Sequence, residues 1–304
     1  MPLSINTPLL QSLPLSHATG TQVWMKMEAL QPSGSFKIRG VGHACEQHHA
    51  RGAKRFLSSS GGNAGLAVAY AGRRLGVPVV VVVPETTSER ARILLGLEGA
   101  EVVVHGESWF EANELARSLE TPADAFVHPF DDPLLWEGHA SMIDEVVAEG
   151  VRPDAVVLSV GGGGLLAGVD LGLRRNGLGS VPIYAVETQG MASFNASIQA
   201  GDLTEIPVVS GVATSLGARQ VCQRAFDVSK ERPVVPVQVT DAEAVSACLA
   251  YLNDHRTLVE PACGASLALL YENKLSLRAH SNVLVIVCGG CTATIESLSG
   301  FRGC

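Results

Sequence analysis

The chain has no Lys/Arg cluster longer than two residues, and its formal net charge is -8. That balance excludes an extended nucleic-acid surface and makes any phosphate binding local. It also has no apolar run long enough to cross a bilayer, since the longest, Val77 to Pro84, falls far short of the ~20 residues a spanning helix requires. The opening Met1-Pro-Leu-Ser-Ile-Asn lacks the basic start and apolar core of a secretory signal, so the expected location is cytoplasmic. Seven cysteines, odd in number and scattered, fit reduced thiols and not a disulfide framework. Cys288-x-x-Cys291 has redox spacing, but no second such pair or paired histidine follows to complete a zinc site. Internal repeats and low-complexity linkers are also missing.

What is present reads as globular. With 46% hydrophobic and 17% charged residues, 304 residues can bury a large core and form one large or two medium domains. Strand-length apolar runs at Val79 to Val83, Glu101 to Val104, Ala155 to Val160, Ile183 to Val186 and Val283 to Val287 are separated by segments long enough for helices, which predicts a parallel α/β architecture. Thr240 with Glu243 forms a capping-box signature for a helix from Asp241 to about Asp254.

Three segments carry chemistry. In Pro32-Ser-Gly-Ser-Phe-Lys-Ile-Arg-Gly40, Lys37 follows an aromatic and a small-residue turn that could open a helix. A lysine with a reference pKa of ~10.4 attacks a carbonyl only from a pocket that favours the neutral amine, and Phe36 could help to form one. In Phe56-Leu-Ser-Ser-Ser-Gly-Gly-Asn-Ala-Gly65, a short strand runs through serine and glycine into a helical stretch from Asn63 to Leu75. Its backbone N–H groups and hydroxyls suit an anion, although a plain connection capped by Asn63 fits the same residues. In Ala155-Val-Val-Leu-Ser-Val-Gly-Gly-Gly-Gly-Leu-Leu-Ala-Gly168, four glycines at a helix start look like a phosphate cup. The same loop fits a dinucleotide fingerprint, Gly162-x-Gly164-x-x-Ala167 with Glu187 about 20 residues later, so two readings of it stand.

Taken together in order, these segments resemble the pyridoxal-phosphate enzymes of the tryptophan-synthase β type (fold type II), and within them the liver-type L-serine dehydratase/L-threonine deaminases and serine-dehydratase-like proteins. The resemblance runs from Thr7-Pro8-Leu9 through Gln31 to Gly40, Phe130-Asp-Asp-Pro-Leu-Leu-Trp-Glu-Gly-His-Ala140, Ser159 to Leu165, Val259-Glu-Pro-Ala-Cys-Gly264 and Val285-Ile-Val-Cys-Gly-Gly290. It implies two parallel-type α/β domains, open twisted sheets with helices on both faces, and pyridoxal phosphate in the cleft between them. The large domain would comprise residues 1–31 and 131–304, and the small inserted one residues 32–130.

The resemblance further implies that Lys37 attaches to the cofactor and serves as base, and that Gly161, Gly162, Gly163, Gly164 and Leu165 bind its phosphate. Phe36 would pack on its ring, Asn63 would meet its phenolic oxygen and Cys288 its pyridine nitrogen. Ser59, Ser60, Gly61, Asn63 and Ala64 would hold the substrate carboxylate. Glu187, with carbonyls of Gly161, Met191, Leu216 and Ala218, would bind a monovalent cation, potassium. The implied reaction is elimination from L-serine or L-threonine by a homodimer, with no nucleic-acid or membrane partner. The end of the chain at Cys304 leads to the expectation of a catabolic enzyme without a regulatory domain. His139 is read as a packing residue. Rival readings are a cysteine synthase, threonine synthase or serine racemase of the same family, an NAD-dependent oxidoreductase, and a poorly active pyridoxal-phosphate-binding homologue.

Overall fold

A computed structural model of the protein describes residues 2–301, so the readings that rest on Met1 and on the Cys304 terminus lie outside the described residues. The strands are β1 (Leu9–Gln11), β2 (Gln22–Lys26), β3 (Arg55–Ser58), β4 (Val79–Val83), β5 (Glu101–Val104), β6 (Asp124–Phe126), β7 (Ala155–Ser159), β8 (Ile183–Thr188), β9 (Val234–Val239) and β10 (Asn282–Ile286). They form a six-stranded sheet in the order β1-β2-β10-β7-β8-β9 and a four-stranded sheet in the order β5-β4-β3-β6. The expected α/β architecture is present with one correction: β1 pairs antiparallel with β2, so the larger sheet is mixed. Only ten residues, including the short helix Leu13–Thr19, separate the end of β1 from the start of β2, too few for the longer crossover a parallel pair requires.

Strands β4, β7 and β10 read as continuous apolar runs because helices cover both sheet faces, and every residue of β4 and β7 is buried. The runs at Glu101 to Val104 and Ile183 to Val186 are β5 and β8, and the short strand at Phe56 is β3, whereas β1, β2, β6 and β9 hide from such a search. β1 and β6 have three residues each, and β9 carries Pro236, tolerable because β9 is an edge strand paired only with β8. The capping box at Thr240 and Glu243 is formed, and its helix runs Asp241–His255. The helix Pro261–Tyr271 is apolar all round and buried from Pro261 to Leu270, packed against helix Asp241–His255 and against β7 and β8. The core of the smaller sheet takes in Ile38 and Val41 of the helix Lys37–Ala50, together with Leu3 and Leu135.

That helix is fixed by a buried charge cluster. The Arg39 guanidinium donates from Nε and Nη2 to Glu28 at 2.7 and 2.8 Å, and from Nη1 and Nη2 to Glu145 at 2.7 and 2.6 Å. Lys26 Nζ lies 2.6 Å from Glu145 Oε2 and donates to the carbonyl of Thr7 at 2.6 Å. Lys26, Glu28 and Arg39 are all nearly inaccessible, and the two cations and two carboxylates sum to zero. Burial alone would lower the pKa of Arg39, but Glu28 and Glu145 outweigh it and raise it. A second cluster anchors the helix Gly164–Arg175, where buried Asp170 accepts from Arg174, Arg224 and Arg232 at 2.9, 2.7 and 2.8 Å.

Removing one member of such a cluster strands its partners in low dielectric, so Arg39→Leu should destabilise the fold by about 3–5 kcal/mol in urea unfolding. Burial opposes the charge on Glu145, but Arg39 and Lys26 prevail and hold its pKa below the ordinary glutamate value. Its contribution is therefore fully present above that ordinary value and lost as pH falls through the lower folded one. Arg39→Leu should shrink this acid-limb loss; an unchanged acid limb would assign the pH dependence elsewhere.

Candidate active site

Lys37 is the first residue of the helix Lys37–Ala50, at the point where the chain passes from one sheet to the other. Just before it, Ser35 bridges Gly289 and the Phe36 N–H donates to the Cys288 carbonyl at 3.1 Å. The amine donates to the carbonyl of Pro129, 2.5 Å away, where the chain crosses back. Lys37 is half-buried as a residue, yet protein surrounds its amine densely enough that desolvation lowers its pKa to about 8, against the opposing influence of Cys288, Glu260 and Cys222. A substantial neutral fraction then exists near neutral pH, which is what an amine nucleophile or base requires.

Phe36 lies beside the amine, with Nζ 5.3 Å from its ring centroid, and stacks tilted on His139 at 4.9 Å. His139 is wholly buried, accepts the Gly40 N–H at Nδ1 over 3.2 Å, and is held well below its ordinary pKa by burial and then by the charges of Lys37 and Arg39. It packs the helix start in place.

The glycine loop follows β7 directly. Gly163 sits at φ 92°, and a Cβ on Gly162 would lie 2.3 Å from the Phe130 ring, so neither position admits a side chain without movement. The backbone N–H groups from Gly161 to Leu165 find no acceptor among the described residues, leaving five donors around the start of the helix Gly164–Arg175. That is a cradle for a phosphate. In the second loop the N–H groups of Gly61, Asn63 and Ala64 are likewise without an acceptor among the described residues. Ser60 Oγ accepts the Gly62 N–H at 3.4 Å. The hydroxyl of Ser59 donates to Asn113 Oδ1 at 2.9 Å. One expectation changes here. The helix Asn63–Leu75 is capped at Gly62 and not by Asn63, whose side chain is turned to Glu260 instead.

Cys288 is buried, and the neighbouring Cys263 together with burial holds its thiol well above the ordinary cysteine pKa. Cys291 points elsewhere, its thiol 3.6 Å from Asn63 Oδ1. The two thiols of the C-x-x-C spacing therefore serve different neighbours, and no cluster of three or more metal-binding side chains occurs among the described residues.

Glu187 lies at the end of β8 and is buried. Both its oxygens accept backbone N–H groups, of Phe194 and Asn195, each at 2.8 Å. Burial pushes its pKa up to about 8 in spite of these bonds. Thr188 Oγ1, Ser193 Oγ and Asn195 Oδ1, from the segment around it, are buried with no partner among the described residues. The other expected ligand segments approach one another: a Cβ on Gly161 would lie 2.9 Å from Leu216 Cα, one on Gly217 would lie 3.8 Å from Met191 Sδ, and the Ala218 N–H donates to the Leu216 carbonyl at 2.7 Å.

Glu260 is the residue the sequence reading passed over. Burial pushes its carboxyl up to about 7, against the hydrogen bonds of Ser215, Asn63 and Thr292 and the charge of Lys37. It lines a cavity of about 330 Å³ that Ser88, Gly211, Ser215 and Thr292 also border. One signal was available: a lone carboxylate immediately before Pro261, at the mouth of a helix that is otherwise apolar.

The donors, the buried amine and the neutral thiol fit a phosphorylated aldehyde cofactor, and comparison with known proteins agrees. Residues 1–289 match the family model described as pyridoxal-phosphate dependent enzyme. The L-serine dehydratase of Dictyostelium discoideum is 48% identical over 98% of this chain and 91% of that protein. The mouse serine dehydratase-like protein is 49% identical over 97% and 93%. The crystal structure of a fungal L-serine ammonia-lyase from Rhizomucor miehei aligns with a TM-score of 0.94 at 36% identity, covering 100% of this chain and 99% of that one. The oxidoreductase reading of the glycine loop falls with these matches. The chain belongs to the pyridoxal-phosphate-dependent enzymes of fold type II, in the serine dehydratase/threonine deaminase group.

Proposed function

We propose that this protein is an ammonia-lyase that converts L-serine to pyruvate and L-threonine to 2-oxobutyrate, each with release of ammonia. The observation that carries the reading is the buried Lys37 amine, lowered to about 8, together with two loops whose N–H donors are unpaired among the described residues. Its relatives with dehydratase names support the substrate class. Residues 32–130 form the inserted small domain in this reading, and the cleft between it and the rest holds the site.

Pyridoxal phosphate, when bound, supplies the sink for the electrons left at the substrate α-carbon. The donors of Gly161 to Leu165 hold a phosphate and orient what is attached to it, while those of Gly61, Asn63 and Ala64 fix the substrate carboxylate. Lys37, neutral in part, accepts the α-proton. Cys288 remains a neutral thiol and adds no charge beside a ring nitrogen, which favours loss of a β-hydroxyl over reactions that need a long-lived carbanion. The enamine left by loss of water hydrolyses to the oxo acid and ammonia.

Lys37→Ala should lower oxo-acid formation by about a thousandfold or more, since no other group is assigned as base, and should abolish the visible absorption of the bound cofactor. Turnover near wild type in that variant would sink the assignment.

Gly61 offers no side chain that could return a proton to the opposite face of the α-carbon, so chiral analysis should find little D-serine beside pyruvate. A Cβ at this position would lie 2.6 Å from Thr87 Cγ2. Racemisation introduced by Gly61→Ser should therefore emerge only when Thr87→Ala makes room. D-serine accumulating at the rate of pyruvate in the wild type would point to a racemase instead.

Glu187 with its neighbouring unpartnered oxygens is read as a potassium site, the cation offsetting a buried charge. Because its folded pKa lies above the ordinary glutamate value, the folded state retains a proton that the unfolded chain has lost, and stability declines as pH rises from about 5 to 8. Urea unfolding in tetramethylammonium buffer should show that decline, potassium should flatten it, and Glu187→Gln should remove it. A pH profile indifferent to both changes would leave Glu187 a purely structural helix cap.

A further inference from the structure

Asn63 is the first residue of the helix that follows β3 in the four-stranded sheet, whereas every partner of its carboxamide belongs to the layer of the six-stranded sheet. Its Nδ2 donates to Glu260 Oε1 at 2.7 Å and to Ser215 Oγ at 3.3 Å, and its Oδ1 accepts the Cys291 N–H at 3.3 Å. The amide thus has one orientation, donor toward Glu260 and acceptor toward Cys291, and it ties the two layers across the cleft. Glu260 is itself held. It precedes Pro261 at the start of a buried helix, Thr292 Oγ1 lies 3.5 Å from its Oε2, and its side chain crosses the face of Gly290, where a Cβ would come within 2.1 Å of Glu260 Cδ. Gly290 has φ 127°, so this close approach depends on glycine for both space and backbone.

We propose that Glu260 is a positioning residue that acts through Asn63, holding one Nδ2 hydrogen at 2.7 Å and so locking the carboxamide in one orientation across the cleft, with the other hydrogen, on the longer 3.3 Å contact to Ser215 Oγ, left to a cofactor oxygen that would replace that hydroxyl. This rests on the reading of Asn63 as a cofactor residue. The competing possibility is that Glu260 acts by its charge alone, since Lys37, Cys288, Cys291, Cys263 and Cys248 all lie around it. The two differ in what glutamine does: Glu260→Gln keeps an acceptor for Asn63 Nδ2 and removes the charge.

The test measures the dissociation constant of pyridoxal phosphate by the visible absorption of the full-length enzyme. The set comprises wild type, Glu260→Gln, Glu260→Ala, Asn63→Ala and the double variant Asn63→Ala/Glu260→Ala. Circular dichroism confirms folding, and Glu260→Asp, one methylene short, replaces the alanine variant in the set if that variant does not fold. Expected are binding within about threefold of wild type for glutamine, a loss of about ten- to hundredfold for alanine, and no added loss from Glu260→Ala when Asn63 is already alanine. Glutamine binding as poorly as alanine overturns the proposal in favour of the charge. A full additional loss in the Asn63→Ala background overturns it too, because Glu260 would then act independently of Asn63. If wild type itself develops no visible band, the cofactor reading fails and the proposal falls with it; a wild-type band with either contrary pattern fails the proposal alone.

Discussion

The arrangement depends first on how charge is handled in the first turn of one helix. Lys37 and Arg39 are two residues apart, about 200° around the helix axis, so they face nearly opposite sides. Arg39 enters a pocket where Glu28 and Glu145 accept from it at 2.6 to 2.8 Å and raise its pKa. Lys37 has the Pro129 carbonyl but no carboxylate in a salt bridge among the described residues, and desolvation wins. One cation is permanent because it is paired, and the other is poised because it is not. The paired one holds the helix on which the poised one sits, so the site's reactivity and the fold's stability meet within three residues.

The rest of the site follows the same economy of charge. Lys37, Glu260 and Glu187 are each displaced toward neutrality, to about 8, 7 and 8, and in each case desolvation is the largest cause. Their local compensation differs. Glu260 has an amide, hydroxyls and the nearby amine, whereas Glu187 has two backbone N–H groups and unpartnered neutral oxygens beside it. Neither loop carries a side-chain cation: the glycine loop offers backbone donors, and the Ser60 to Ala64 loop adds a hydroxyl and a carboxamide to its own. Backbone donors of this kind suit an anion even in a chain of net charge -8 with no basic cluster.

Sequence alone determined much of this. Long apolar strands buried on both faces, the capping box at Thr240, the helix Asn63–Leu75 and the strand-glycine-helix units are local patterns, and local patterns are legible where burial or capping imposes them. Lys37 and the glycine loops could be named for the same reason. Their chemistry lies in contiguous residues, and the order of the motifs along the chain carried the family resemblance.

Tertiary structure decided what depends on residues far apart. β1, β6 and β9 owe their existence to neighbouring strands, and three-residue segments or a proline-bearing edge carry no period of their own. The hydroxyl of Ser59 is taken by Asn113, 54 residues on, and the carboxamide of Asn63 by Glu260, 197 residues on. No spacing rule announces either. Nor could the C-x-x-C spacing reveal that Cys288 is buried while the Cys291 thiol meets Asn63. The sequence determined which groups are present and which local turns they occupy. Which partner each group meets, and so whether its charge is kept or lost, was decided by folding, because desolvation and hydrogen bonding act through space and not along the chain.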